Sequence, residues 1–129
     1  MNGDAIERWH AYMRAPDPAT LDALIDADCV FESPAVQTPQ VGKALTLKYL
    51  TAAASVLGND SFRYVGEWRG STSAVLEFNC ELVDGIKVDG VDIIGWNEAG
   101  RITSFKVMIR PIKALHAVMP LMATALAAG

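Results

Sequence analysis

The feature that most constrains this chain is the stretch of residues 88–110, VDGVDIIGWNEAGRITSFKVMIR. Two runs rich in β-branched and aromatic residues flank Asn97-Glu98-Ala99-Gly100, a polar turn that ends in the residue most tolerant of positive φ. The pattern predicts a β-hairpin. Alternation along its first strand sends Asp92, Ile94 and Trp96 to one face and Val91, Ile93 and Gly95 to the other. Both faces are apolar apart from one carboxylate, so Asp92 is the residue from which any chemistry has to be argued.

Where Asp92 points depends on how the two strands pair, because a one-residue slip exchanges the faces of the partner strand. A four-residue loop, Glu98 to Arg101, sets Asn97 opposite Ile102 and places Asp92 among Phe105, Val107 and Ile109, an unbroken apolar face. A three-residue loop sets Asp92 opposite Lys106 instead, as a cross-strand ion pair worth roughly 0.2–1 kcal/mol. The first pairing is expected, since it leaves Lys106 and Arg110 on the polar side.

A chain of 129 residues is expected to form one domain over 1–129. At that size it hides roughly two-thirds of the surface its unfolded chain exposes, so it needs no metal or disulfide to be stable. Its net charge of −4 and scattered Lys and Arg argue against a nucleic-acid partner, which wants clustered basic residues. Cys29 and Cys80 sit in apolar, strand-like settings and read as small buried thiols in a reducing compartment. No N-terminal stretch combines a basic start with an apolar core, so a cytoplasmic location is expected. The two histidines and two cysteines lack metal-ligand spacing, and no glycine-rich loop joins a strand to a helix. Neither metal nor cofactor is expected.

In chain order, Asp4 with Glu7 three residues on opens a helix to about residue 15, with Ile6, Trp9 and Met13 on one side and His10 and Tyr12 flanking. Asp17-Pro18 restarts a helix whose buried side is Leu21, Leu24 and Ile25. Residues 29–34 form a short strand ending at Pro34, followed by a proline-bounded loop to Gly42. Residues 43–57 form a third helix with Leu45, Tyr49, Ala52 and Val56 at helical spacing, widened by Leu47, Leu50 and Leu57. Strands are predicted at 62–68, 73–83 and 86–96, with Asp84-Gly85 as a hairpin turn. Pro111 opens a C-terminal helix carrying Leu115, Val118, Met119, Leu121, Met122 and Leu126. Lys113, His116 and Pro120 interrupt it, and it is too short to span a membrane. Its apolar surplus calls either for an open end of the sheet to cover or for another subunit.

Helices first and an antiparallel meander after them describe an α+β domain: a cone-shaped, curved antiparallel sheet packed against three N-terminal helices, with a C-terminal helix. The run Asp92-Ile93-Ile94-Gly95-Trp96-Asn97-Glu98-Ala99-Gly100-Arg101-Ile102, with Val30-Phe31-Glu32-Ser33-Pro34 behind an acid-capped helix and the link Arg110-Pro111-Ile112-Lys113-Ala114-Leu115, resembles the nuclear transport factor 2-like superfamily. Within it, the chain is most similar to the SnoaL-like group. The resemblance covers essentially the whole chain. It implies a cavity between sheet and helices and a homodimer through the outer sheet face, but no single activity, since the superfamily holds isomerases, cyclases, dehydratases, epoxide hydrolases and binding modules. Set against the ketosteroid isomerases, the acid that donates to the oxyanion falls on Asp92. Their general base falls on Ser33, which has no useful basicity at neutral pH, and their oxyanion-hole tyrosine falls on Trp9, which donates through its indole but is not an acid. Ketosteroid isomerase activity itself is therefore not expected.

A carboxylic acid walled by Phe105, Val107 and Ile94 is hard to ionise, so Asp92 is the candidate general acid or hydrogen-bond donor to a carbonyl oxygen. SnoaL-type polyketide cyclases resemble this arrangement in using a strand-borne aspartate. The expected pocket is lined by Trp9, Met13, Phe31, Tyr49, Phe78, Ile94, Phe105 and Val107 and takes an apolar small molecule. Two functions fit: a cofactor-independent isomerase, cyclase or hydratase acting by acid/base catalysis on an apolar or aromatic carbonyl compound, or a non-catalytic ligand-binding or dimerisation module. Glu32 is expected in solvent, and His10 and His116 as surface or packing residues.

Overall fold

The computed structural model describes residues 4–128. Helix α1 (Ala5–Arg14) starts where the Asp4 side chain accepts from the Ile6 amide, and it buries Ala5, Ile6, Trp9 and Tyr12. Helix α2 (Pro18–Leu24) is capped by Asp17, which accepts from the Thr20 amide at 3.0 Å. Ile25, expected as the last buried residue of this helix, instead has extended dihedrals and begins strand β1 (Ile25–Glu32). The strand is four residues longer at its start than the sequence suggested. Ile25 pairs with Ile102 on the sheet, and β-branching suits it to that place.

Within the proline-bounded loop, Gln40–Val41 forms an unforeseen edge strand, β2, antiparallel to β1. Gly42, at φ +106, turns the chain into helix α3 (Lys43–Leu57). The buried line of α3 is Thr46, Leu50, Ala52 and Leu57, whereas Leu45 is exposed. Leu50, Ala52 and Leu57 are buried as expected and Leu47, Tyr49 and Val56 pack against the core, so apolarity misplaced only Leu45 and missed Thr46. Thr46 can go inside because its hydroxyl donates to the Gly42 carbonyl at 2.9 Å and the Cys29 carbonyl at 3.3 Å.

The remaining strands are β3 (Arg63–Arg69), β4 (Ser73–Glu81), β5 (Lys87–Trp96) and β6 (Ile102–Arg110), followed by helix α4 (Ile112–Ala128). They form one open six-stranded sheet in the order β2-β1-β6-β5-β4-β3. The sheet is mixed rather than wholly antiparallel, because β1 runs parallel to β6. No hairpin joins these two strands; α3 and the β3–β5 meander lie between them in the chain, so turn geometry does not impose antiparallel pairing. Both predicted hairpins close through three-residue loops ending in glycine: Leu82 to Ile86 over Gly85 (φ +84), and Asn97 to Arg101 over Gly100 (φ +76).

The β5–β6 register combines the two pairings that the sequence left open. Trp96 pairs with Ile102 as the three-residue loop requires, but Thr103 is bulged, and beyond it Gly95 faces Ser104, Ile94 faces Phe105 and Asp92 faces Val107. The loop is shorter than expected, and the bulge restores the expected neighbours of Asp92. A second bulge, at Val65, has a similar consequence on β3: Tyr64 stands opposite Phe78, while Trp68 pairs with Val75 and is exposed.

The core lies between the inner sheet face and the helices. Ile6, Leu21, Leu24, Ile25, Leu76, Ile94 and Ile102 are all essentially inaccessible. Cys29 and Cys80 are buried free thiols. Helix α4 packs on α3 and on the sheet at β5 and β6, so much of its apolar side is covered within the chain, while Ile112 and Met119 stay exposed. No described helix is long and apolar enough to cross a membrane.

Candidate functional site

Between the inner sheet face, α1, α3 and α4 lies a cavity of about 260 Å³. Its walls are overwhelmingly hydrocarbon and aromatic. Strands β4, β5 and β6 contribute Phe78, Asp92, Phe105, Val107 and Ile109; α1 contributes Trp9, Tyr12 and Met13; α3 contributes Tyr49, Leu50 and Leu57; and α4 contributes Leu115, Val118, Met119, Met122 and Leu126. Val36, in the loop after β1, and Met119 line the cavity and are each 45% exposed, so part of the cavity wall reaches solvent.

The aromatic wall is continuous. Phe105 meets Trp9 edge-on (centroids 5.0 Å apart) and stacks with Phe31 (6.0 Å), which in turn meets Tyr49. Phe78 stacks on Phe62 and lies over Gly90, where a β-carbon would overlap the ring and stand 2.8 Å from the Met108 carbonyl oxygen. Only glycine lets the ring lie that close to β5.

Asp92 is 6% exposed and lines this cavity. The Tyr64 hydroxyl donates to its Oδ2 at 2.6 Å, and the Trp9 indole N–H donates to the Tyr64 oxygen at 2.9 Å. Among the described residues Asp92 has no other hydrogen-bond partner, and no buried polar side-chain atom is left unpartnered. Oδ1 is therefore open to the cavity. Burial pushes the Asp92 carboxyl up to about 7, against the opposing hydrogen bond from Tyr64, which favours the charged form. Burial, and then the Asp92 charge, hold the Tyr64 phenol well above its ordinary range, so Tyr64 stays protonated.

Of the nine residues expected at the site, the structure gathers Asp92, Trp9, Met13, Phe31, Tyr49, Phe78, Phe105 and Val107 around this one cavity. Ile94 is the exception. It lies one inward-facing position nearer the β5–β6 turn than Asp92, is fully buried, and belongs to the core rather than the cavity wall. Ser33, at the position of the isomerase base, also borders the cavity, and its oxygen accepts from the Ala35 amide at 3.1 Å. Glu32 lies on the outside, 3.7 Å from Lys106. His10 pairs with Glu67 at 2.7 Å on the far side of Tyr64, and that hydrogen bond is the main reason the Glu67 carboxyl lies below its usual range. His116 is exposed.

Tyr64 went unrecognised in the sequence, along with the whole contribution of α4. The signal for Tyr64 was the spacing of Phe62 and Tyr64, which turns both toward the face of Phe78 across a hairpin. Among the described residues no three His, Cys, Asp or Glu side chains converge to hold a metal ion.

An open curved sheet whose inner face and last helix enclose an apolar cavity with one acid is the nuclear transport factor 2-like architecture. The family model of the SnoaL-like domain matches residues 6–105, and the chain belongs to that family. Among solved structures, a steroid delta-isomerase from Pseudomonas aeruginosa is 30% identical, covering 96% of this chain and 90% of that one at a TM-score of 0.89. An uncharacterized protein with a cystatin-like fold from Silicibacter pomeroyi is 28% identical over 93% of this chain and 83% of its own (TM-score 0.84). The epoxide hydrolase/cyclase-like enzyme SalBIII, of pyran ring formation in the polyether salinomycin, shares the fold at 17% identity, 84% and 92% coverage and a TM-score of 0.65. No curated protein matches the chain.

Proposed function

We propose that this protein binds an apolar or aromatic carbonyl compound in the cavity and transfers protons to or from it through Asp92, as a cofactor-independent isomerase, cyclase or hydratase. The observation that carries this reading is a lone carboxyl group, with one oxygen open to an apolar cavity and an affinity for protons near neutrality. A group poised there both gives and takes a proton at physiological pH. The steroid delta-isomerase likeness supports the isomerase form of the reading, while Ser33 leaves the site without a second base.

The test is exchange of the α-protons of a panel of bicyclic and tricyclic aromatic ketones in deuterated water, followed by proton NMR. The expected result is enzyme-dependent exchange with at least one of them, reduced about 10²–10⁴-fold in Asp92→Ala. Ligands that raise the melting temperature without any exchange would instead support the second reading, a binding module, which the absence of a base at residue 33 favours.

The outer sheet face supports a homodimer. Trp68, Val75 and Ile93 are cross-strand neighbours, as are Val91 and Met108, and Trp68 is 60% exposed. This apolar strip, bordered by Lys106 beside Ile93 and Glu77 beside Val91, wants a cover. Sedimentation equilibrium of the wild type is expected to give twice the chain mass, and Trp68→Glu the mass of one chain; a monomeric wild type would remove the dimer.

A further inference from the structure

The hydrogen bonds behind Asp92 have a direction, and that direction decides what the cavity asks of a ligand. An indole N–H donates and cannot accept, so the Tyr64 oxygen is the acceptor toward Trp9. A phenol carries one proton, held near the plane of its ring. With the oxygen already accepting from Trp9, the O–H is directed at Asp92 Oδ2. Among the described residues Tyr64 has no other hydrogen-bond acceptor. Were Oδ2 to carry the acid's proton and donate it to Tyr64, the phenol O–H would have no partner, which costs about 1–3 kcal/mol, whereas an O–H on Oδ1 faces the cavity, where water or a ligand accepts it. Oδ2 is thus an acceptor only, and the proton of the neutral acid sits on Oδ1, the oxygen open to the cavity.

We propose that Tyr64, anchored by Trp9, is a positioning residue that turns the O–H of Asp92 into the cavity, so that the site selects apolar ligands whose inner end bears a hydrogen-bond acceptor, such as a ketone, ester or lactone carbonyl or an enolate oxygen. This rests on the proposed function and sharpens it, giving the carbonyl oxygen a fixed place at Oδ1. Among the described residues the other titratable groups on the cavity wall are the phenols of Tyr12 and Tyr49; His10 and Glu67 lie behind Tyr64, and no other charged side chain lines the cavity. Ser33 and these phenols keep their O–H throughout the pH range in which Asp92 titrates, so the part of the acceptor preference that is lost as pH rises belongs to Asp92.

The test compares two ligands of nearly equal shape, 2-acetylnaphthalene and 2-isopropenylnaphthalene, which differ by a carbonyl oxygen in place of a methylene. At pH 5.5 the wild type is expected to bind the ketone about fivefold to tenfold more tightly than the alkene, with the bound carbonyl stretch shifted to lower frequency. In Tyr64→Phe the alkene affinity is expected to stay the same while the ketone preference falls at least threefold. The pH at which the preference falls moves upward, because the hydrogen bond favouring the carboxylate is gone. A merely structural role would weaken both ligands alike. An unchanged ketone-to-alkene ratio and carbonyl band in Tyr64→Phe would overturn the proposal, as would equal binding of the two by the wild type, though the latter leaves apolar binding intact. Failure of the wild type to bind either ligand would remove the proposed function and this inference with it. Should Tyr64→Phe fail to fold, Trp9→Phe carries the same comparison, with a smaller drop in ratio expected and an unchanged ratio again overturning the proposal.

Discussion

Replacing Asp92 with Asn is expected to make the protein more stable at pH 8, by about 4 kcal/mol, and to leave it nearly unchanged at pH 3.5. The carboxyl goes from 3.8 in the unfolded chain to about 7 in the folded one, and each unit is worth about 1.4 kcal/mol. Between those two values the folded state holds a proton that the unfolded state has released. Unfolding free energy therefore falls as pH rises through the window, and is flat on either side of it. Asn keeps an oxygen to accept from Tyr64 and carries no charge to desolvate. Glu67, whose carboxyl is lowered chiefly by His10, works in the opposite sense and is present in both proteins, so the difference between the two urea-denaturation series isolates Asp92. Series that run parallel from pH 4 to pH 8 would mean that Asp92 is ionised in the fold, and would also remove it as the proton carrier of the proposed reaction.

Phe105→Ala is expected to lower the unfolding free energy by about 3–5 kcal/mol, the range for deleting a buried aromatic ring. The ring is 2% exposed and packed between Trp9 and Phe31. Its loss enlarges a cavity that is already present, so the neighbours have nothing to collapse onto. It also removes the wall against which Trp9 rests, and Trp9 holds Tyr64. Because the Tyr64 hydrogen bond is what favours the Asp92 carboxylate, loosening it is expected to move the pH-dependent step of the stability profile upward as well. Thermal and urea unfolding at pH 5.5 and pH 8 check both; a loss below about 1 kcal/mol would show that the aromatic wall is not under packing constraint.

Local chemistry made much of this protein legible. Asp4 and Asp17 marked helix starts because a carboxylate satisfies amides that no helical carbonyl reaches, and Gly85 and Gly100 marked hairpins because the loops need positive φ. Period-two alternation put Asp92 on an apolar face before any partner strand was known. Each of these signals is complete within a few residues. Where the sequence misled, a distant partner decided. Ile25 left its helix to pair with Ile102, and Thr46 took the buried place expected of Leu45, its hydroxyl donating to the Gly42 carbonyl one turn back and reaching the Cys29 carbonyl on β1. Alternation through Phe62, Tyr64 and Gly66 carries Trp68 inward, yet the bulge at Val65 sends it out.

The sequence by itself thus determined most element types and the hairpins, because short-range sterics and amphipathic period fix them, and it narrowed the side of Asp92 to two pairings, between which the bulge at Thr103 decided. Only the tertiary structure decided that β1 lies parallel to β6, that α4 packs on α3 and the sheet, and that Trp9 and Tyr64 meet behind Asp92. Trp9 and Tyr64 are separated by 55 residues and Tyr64 and Asp92 by 28. Their hydrogen bonds exist because a bulge, a hairpin and a helix packed across the sheet place three side chains within 3 Å of one another in turn, and no local pattern encodes that coincidence.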